Sequence, residues 1–167
     1  VVTINENLNI AEFIRFPHDR ALVLNGLTLP EKVFSFLETY KAIFDMSQPD
    51  TSFDIGPEKT DIYGFHHITF SQIYDGIPTY DGKLKFHFNA DKELVSINGN
   101  FLPNIKLSGI PSLTENAANT IALQTIVDQN LNKSGKPLSI NKNTLYIFPY
   151  RHVCCTYTIS KYGSRII

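Results

Sequence analysis

The sequence is poor in the residues that most often build reactive or metal-binding centres. It has no tryptophan, one methionine and two cysteines, and these cysteines, Cys154 and Cys155, are adjacent. Because neighbouring residues of a strand point to opposite faces, the two thiols are poorly placed to share a metal ion or a relaxed disulfide. We interpret them as small buried hydrophobic residues, which do not identify the compartment of the protein.

The chain also lacks strong net charge and long apolar runs. Its 15 basic and 16 acidic residues nearly cancel, and it has no basic patch or RNA-type aromatic motif, so we do not expect nucleic acid as a partner. No apolar run approaches the roughly 18 residues of a membrane-spanning helix, so no membrane span is expected. The chain begins Val1-Val2, without Met or a signal-peptide pattern, from which we expect that it has been trimmed.

Catalytic and metal-binding signatures are missing as well. His66 and His67 are adjacent on a predicted strand and should face opposite sides. The other three histidines, His18, His87 and His152, have no partner at metal-ligand spacing. The motifs HExxH, CxxC and GxSxG are absent, as is a phosphate-binding glycine loop. We therefore predict no catalytic residue, no cofactor and no metal site in this chain.

Strand-like patterns fill residues 66–103, the most informative part of the chain. Residues 65–74 alternate with a period of two, and a further strand begins near Val95. The clearest half-buried strand alternates Leu84, Phe86 and Phe88 with polar residues. Almost none of these side chains is suited to catalysis, so the stretch predicts a protein that acts through its surface on a partner.

Turn-forming residues separate these predicted strands. Asp75-Gly76 and Asp81-Gly82 tolerate the positive φ angles that tight turns require, so both pairs predict hairpins. Pro78, between them, cannot donate to a ladder and should lie at an edge or a bulge. The 89–93 segment resembles a calcium loop only superficially, and we interpret it as another hairpin turn.

Two helices are predicted, each with strands after it. The first covers residues 30–44, and the second covers residues 113–131 after a capping-box pattern at residues 112–115. The predicted buried stripe of the first helix consists of Val33, Leu37, Tyr40 and Phe44. That of the second consists of Ala118, Ile121, Ala122, Thr125 and Ile126. Two more strands, 144–148 and 153–160, follow the second helix. This order predicts an α+β fold of two antiparallel-sheet-plus-helix subdomains packed together.

Several segments of the sequence resemble a known protein family. The motifs GIPTY at 76–80, LKFH at 84–87 and VSINGN at 95–100 are similar to the propeptide domain of fungalysin-type and thermolysin-type zinc metalloproteases. Residues 113–126 and 144–161 resemble the PepSY domain that often follows it. The resemblance implies an N-terminal segment plus propeptide domain over residues 1–107 and a PepSY-like domain over residues 108–167.

The sequence departs from the family pattern at three places. Thr79 stands where an apolar residue is usual, and Lys92-Glu93 replaces a common glycine-containing turn. The pair Cys154-Cys155 stands where apolar or small residues are expected. None of these changes conflicts with the fold that the resemblance implies.

The resemblance implies a non-catalytic prosegment, an intramolecular chaperone and inhibitor of a secreted zinc metalloprotease that is removed on maturation. Its partner would be the cognate catalytic domain, which would hold zinc, with calcium as a second expected ion. The expected location is secreted or periplasmic. We expect partner-binding residues at two turn tyrosines and in the C-terminal tail, namely Tyr74, Tyr80, Ser164, Arg165, Ile166 and Ile167.

The residues alone leave two other functions open. One is a free-standing PepSY-type inhibitory or interaction module, and the other is an enzyme or small-ligand carrier with a cleft between two sheets. An HExxH motif encoded downstream of Ile167 would favour the prosegment, and a stop codon would favour the module. A fully ligated metal ion at His66 or His87 would favour the enzyme or carrier.

Overall fold

The computed structural model of the chain describes residues 1–17, 19–133, 137–148 and 153–159, with the backbone alone at 141 and 153–159. It divides into two compact units, Val1–Lys106 and Leu107–Ile167. Helices and antiparallel strands occur together, so the predicted α+β class is confirmed.

An antiparallel sheet organises the N-terminal unit, and its strands follow the order β1-β2-β7-β6-β5-β3, with the short β4 also beside β5. The longest pairing, between β5 and β6, is the hairpin that the alternation pattern predicts. The strands are β1 (Val2–Asn5), β2 (Ile10–Arg15), β3 (Phe53–Ile55), β4 (Lys59–Thr60), β5 (His66–Tyr74), β6 (Ile77–Phe88) and β7 (Leu94–Asn100).

The first helix, α1, spans Leu29–Tyr40 and tightens into a 3₁₀ turn at Lys41–Phe44, so the predicted helix is confirmed. It begins with a capping box that the sequence analysis overlooked. The Glu31 carboxylate accepts the backbone N–H groups of Leu27 and Thr28 at 2.7 and 3.0 Å, while the Thr28 hydroxyl accepts the Glu31 N–H at 3.4 Å. These bonds, from Thr28 first and then from Leu27, hold the pKa of Glu31 below its ordinary value.

Helix α1 closes the core by covering the sheet with aromatic side chains. Phe36 lies edge-on to Phe86 with ring centroids 6.2 Å apart, and Phe34 meets Phe70 at 5.3 Å. Each such side chain contributes about 1.5–3 kcal/mol by burial. The stripe prediction was wrong at Tyr40, which is 41% exposed; it is the last residue of the helix, and its ring packs against Phe36 with centroids 4.9 Å apart.

The two Asp–Gly pairs that were predicted to form hairpins adopt different structures. Asp75-Gly76 is a tight hairpin turn with φ angles of 53° and 77°, as predicted. The hairpin predicted at Asp81-Gly82 is wrong, because β6 continues through these residues. There Asp81 has φ 57°, and the register skips from Lys83 opposite Ser71 to Pro78 opposite Ile73. The pair therefore forms part of a bulge, and Pro78 lies beside it.

The C-terminal unit contains α2 (Glu115–Asp128) and the antiparallel pair β8 (Ile140–Ile147) and β9 (Val153–Ile159). The capping box predicted from Ser112 is wrong. Thr114 is the cap, because its hydroxyl accepts the Ala117 N–H at 3.3 Å. In the predicted stripe, Ala118 and Ile126 are buried, whereas Ile121 is 53% exposed. The side chains of Cys154 and Cys155 lie outside the described residues.

Two glycines of the sheet should respond differently to an added methyl group. Gly76 has φ 77° and open space around its Cα, so Gly76→Ala should cost about 1–2 kcal/mol from backbone strain alone. Gly99 has φ 145°, and a Cβ there would lie 2.0 Å from the carbonyl oxygen of Lys83. We expect Gly99→Ala to cost about 3 kcal/mol or more. Urea unfolding of both variants checks this, and equal losses would contradict it.

The helix cap provides a second test. Thr28→Ala removes the hydroxyl that accepts the Glu31 N–H and should lower the free energy of unfolding by about 1 kcal/mol. Urea unfolding measures the loss, with Thr39→Ala as a matched control, because the Thr39 hydroxyl bonds only the Ser35 carbonyl inside the same helix. An equal or larger loss in the control would contradict the assignment of the cap.

The stability that the helix cap contributes should also depend on pH. The folded-state pKa of Glu31 is lowered, so its stabilisation is complete above the ordinary glutamate value of 4.5 and is lost as pH falls through the folded value. The difference in unfolding free energy between the native chain and Glu31→Gln should therefore shrink on acidification. A difference that stays constant between about pH 7 and 3 would exclude this linkage.

Candidate partner-binding surface

The structure places two of the predicted partner-binding residues on one hairpin. Tyr74 is the last residue of β5, and Tyr80 lies in β6 within the bulge. Both are half-buried. The predicted tail residues Ser164, Arg165, Ile166 and Ile167 lie outside the described residues. A role in partner binding remains a prediction for all six.

A shallow cavity of about 210 Å³ adjoins Tyr74. Gln72, Phe101 and residues 45–47 are among the residues that line it. Gln72 is 3% exposed, and its side chain pairs with the backbone of Leu102 in both directions: Nε2 donates to the Leu102 oxygen at 2.7 Å, and Oε1 accepts the Leu102 N–H at 2.8 Å. The amide thereby fixes the chain just after it leaves β7.

Thr79, one departure from the family pattern, belongs to the same buried network. It is 5% exposed, and its hydroxyl lies 3.2 Å from the backbone oxygen and 3.4 Å from the side-chain oxygen of Gln72. A Cβ at position 82 would lie 1.8 Å from this hydroxyl, so Gly82 leaves the space that Thr79 occupies. The bulge is therefore a hydrogen-bonded structure, which explains why the chain does not turn there.

The 61–65 loop between β4 and β5 presents the most exposed aromatic and aliphatic side chains of the region from β4 to β7. Ile62 is 90% and Tyr63 is 78% exposed. The loop is nevertheless ordered by Asp61, whose Oδ1 accepts the N–H groups of Tyr63 and Phe65 at 2.9 and 3.0 Å. Two large apolar groups are thus held in water on a fixed backbone, as is typical of contact residues.

A row of four polar side chains supports this loop from the sheet. His67 Nε2 lies 3.2 Å from Asp61 Oδ2, the two Nδ1 atoms of His67 and His87 are 2.8 Å apart, and His87 Nε2 lies 2.6 Å from Asn98 Oδ1. The sequence analysis found no partner for His87 because the pairing depends on strand register, which sets His67 opposite His87. His66 has separate partners, Glu58 and Thr60.

The surroundings lower the pKa values of two of these groups, His87 and Asp61. Burial lowers the pKa of His87, and the neighbouring charges of His67 and Lys85 act in the same direction, against the bond to Asn98. Burial opposes ionisation of Asp61, yet hydrogen bonds from Phe65, His67 and Tyr63 together hold the pKa of its carboxyl below the ordinary value. Across the described chain, no group of three or more His, Cys, Asp and Glu side chains is arranged to hold a metal ion.

The features just described lie in a part of the chain that matches a known protein family. Residues 58–101 match the Fungalysin/Thermolysin Propeptide Motif. This propeptide motif runs from before β4 to just after β7 and includes the 61–65 loop, the histidine pair and the bulge. The match, over about a quarter of the chain, supports a metalloprotease propeptide and agrees with the resemblance of residues 76–100. None of the helices in the described parts of the chain is long and apolar enough to cross a membrane.

The buried Gln72 should be more important to stability than Thr79. Gln72→Leu leaves the N–H and C=O of Leu102 without their side-chain partners and should cost about 1–3 kcal/mol. Thr79→Val, which keeps the shape and removes two longer contacts, is the matched control and should cost less. Urea unfolding gives the difference, and amide exchange should show faster exchange at Leu102 in Gln72→Leu only. Unchanged exchange at Leu102 would contradict the anchoring role.

Proposed function

We propose that this chain is the propeptide of a secreted zinc metalloprotease of the thermolysin or fungalysin type, in which it acts as an intramolecular chaperone and inhibitor. The observation that carries the proposal is the propeptide motif at residues 58–101. On this proposal the partner is the cognate catalytic domain, which holds zinc and also calcium, and the chain is removed on maturation. The order of α2 followed by the β8–β9 hairpin supports a PepSY-like C-terminal unit.

The fold suits a chaperone because it can form before its partner does. The N-terminal unit has its own core of helix and sheet, in which Phe36, Phe70 and Phe86 are at most 2% exposed. A preformed surface that binds late folding intermediates of a large protease lowers the barrier to its native state and limits aggregation. Covalent attachment raises the effective concentration of the prosegment, so moderate intrinsic affinity suffices to keep the enzyme latent.

The 61–65 loop is the docking element that the geometry favours. Asp61 already orders the loop, so little conformational entropy is lost when Ile62 and Tyr63 enter a partner pocket. Aromatic and aliphatic anchors of this kind carry much of the binding energy in protein interfaces. Tyr74 and Tyr80 form a second proposed contact on the adjacent hairpin, and the tail residues Ser164, Arg165, Ile166 and Ile167 would approach the active-site cleft.

The direct test adds the 167-residue chain in trans to its cognate catalytic domain. We expect it to raise the yield of active enzyme on refolding and to inhibit the mature enzyme in a saturable way. Activity against a peptide substrate measures both effects, with an unrelated folded domain at the same concentration as the control. If the chain neither improves refolding nor inhibits, the proposal fails.

The docking loop can be tested separately. The double variant Ile62→Ser/Tyr63→Ser removes the exposed apolar groups and retains the backbone N–H that Asp61 accepts, so it should weaken inhibition by about tenfold or more. Val23→Ser, at a site that is 72% exposed and lies outside the propeptide motif, is the control and should inhibit normally. Equal inhibition by both variants would place the docking face elsewhere while leaving the chaperone role to the refolding assay.

A further inference from the structure

We propose that His67 and His87 form an acid-sensitive latch, in which one proton shared between the two rings joins them and a second proton separates them and loosens the 61–65 loop. The inference does not depend on the proposed function. It rests on the geometry of four residues, Asp61, His67, His87 and Asn98, that the strand register and the loop bring into a row.

The imidazole rings of His67 and His87 face each other through their Nδ1 atoms. Their Nδ1 atoms are 2.8 Å apart, and their centroids are 5.0 Å apart with the planes at 69°. The centroid separation exceeds the nitrogen separation by about one ring diameter, so both nitrogens lie close to the line that joins the ring centres. This is the geometry of an N–H···N hydrogen bond, which has room for one hydrogen atom between the rings and no room for a second.

The outer partners determine where the other ring protons are. Asp61 Oδ2 accepts from His67 Nε2, and Asn98 Oδ1 accepts from His87 Nε2, so both outer nitrogens carry a hydrogen. Two neutral rings with these protons would face each other through two lone pairs. One further proton on Nδ1 of His67 converts that contact into a hydrogen bond to His87, and the Asp61 carboxylate balances the charge.

A second proton, on Nδ1 of His87, would set two N–H donors and two positive charges against each other at 2.8 Å. The surrounding cations do not relieve this. Lys85 lies two residues before His87 in β6, and Lys59 is the register partner of His67 on β4. Of the acidic residues described, Asp61 is the one bonded to the pair, and its charge already balances the first proton.

The direction of the pH effect follows. The closed pair has no room for a second proton, and burial lowers the pKa of His87 from the ordinary value of 6.5, so at acid pH the closed pair binds one proton fewer than an open pair. The closed form therefore loses stability as pH falls below about 6.5, where an open pair takes up its second proton. If the His67 ring turns away from His87, its Nε2 also leaves Asp61 Oδ2, and Asp61 is the group that orders the backbone of Tyr63 and Phe65.

Amide hydrogen exchange of the full chain tests the latch. Protection factors of the Tyr63 and Phe65 amides, corrected for intrinsic exchange, should fall about tenfold between about pH 7.5 and 5.5, while amides inside β6 keep their protection. Imidazole nitrogen chemical shifts in the same titration should show one proton shared by His67 and His87 for as long as the two loop amides stay protected. Constant protection of the two loop amides, or two rings that titrate independently, would overturn the proposal.

Two variants separate the latch from general acid sensitivity. His87→Gln can still hydrogen-bond but cannot take a proton, so the pH step in loop protection should disappear. His66→Gln, next to His67 on β5, is the control, because His66 faces the Glu58 carboxylate at 3.0 Å and no second imidazole, so it should retain the step. A step that persists in His87→Gln would refute the latch. If His87→Gln fails to fold, the nitrogen titration of the native chain decides.

Discussion

The contact between α1 and the β5–β6 hairpin is the interaction on which the N-terminal unit depends. Phe36 from the helix and Phe70 and Phe86 from the strands form one aromatic cluster, in which Phe70 and Phe86 lie edge to face at 5.5 Å. Such pairs contribute about 0.5–1.5 kcal/mol beyond their burial. Because side chains of a strand alternate between faces, burial of one face leaves the other free to carry Lys83, Lys85 and the polar row.

This division of faces gives the unit a buried apolar side and a structured polar surface. On the buried side, Gln72 and Thr79 are accepted because every side-chain polar atom buried in the described chain has a hydrogen-bond partner. On the other side, His67 and His87 extend the order of the sheet out to a loop that exposes Ile62. Stability is thus concentrated in the core, while the parts suited to recognition lie at its margin.

The propeptide motif covers the four strands β4 to β7, whereas α1 and the strands β1 to β3 lie before it. The motif spans 58–101, and within it lie the paired strands, the bulge and the ordered loop. A preformed sheet and loop are what a folding template requires. On the proposed function, latency and chaperoning would use one surface at two times, first against a folding intermediate and later against the native enzyme.

From the sequence alone, the period-two alternation of Leu84, Phe86 and Phe88, the helix over residues 30–44 and the Asp75-Gly76 turn were predictable, because each depends on neighbours within a few residues. Tertiary structure decided the rest. His67 meets His87 across twenty residues, and Gln72 anchors Leu102 across thirty, so both contacts exist only once the strand register is set. The same buried network made Asp81-Gly82 part of a bulge, since local turn propensity could not report the hydrogen bonds that hold β6 together.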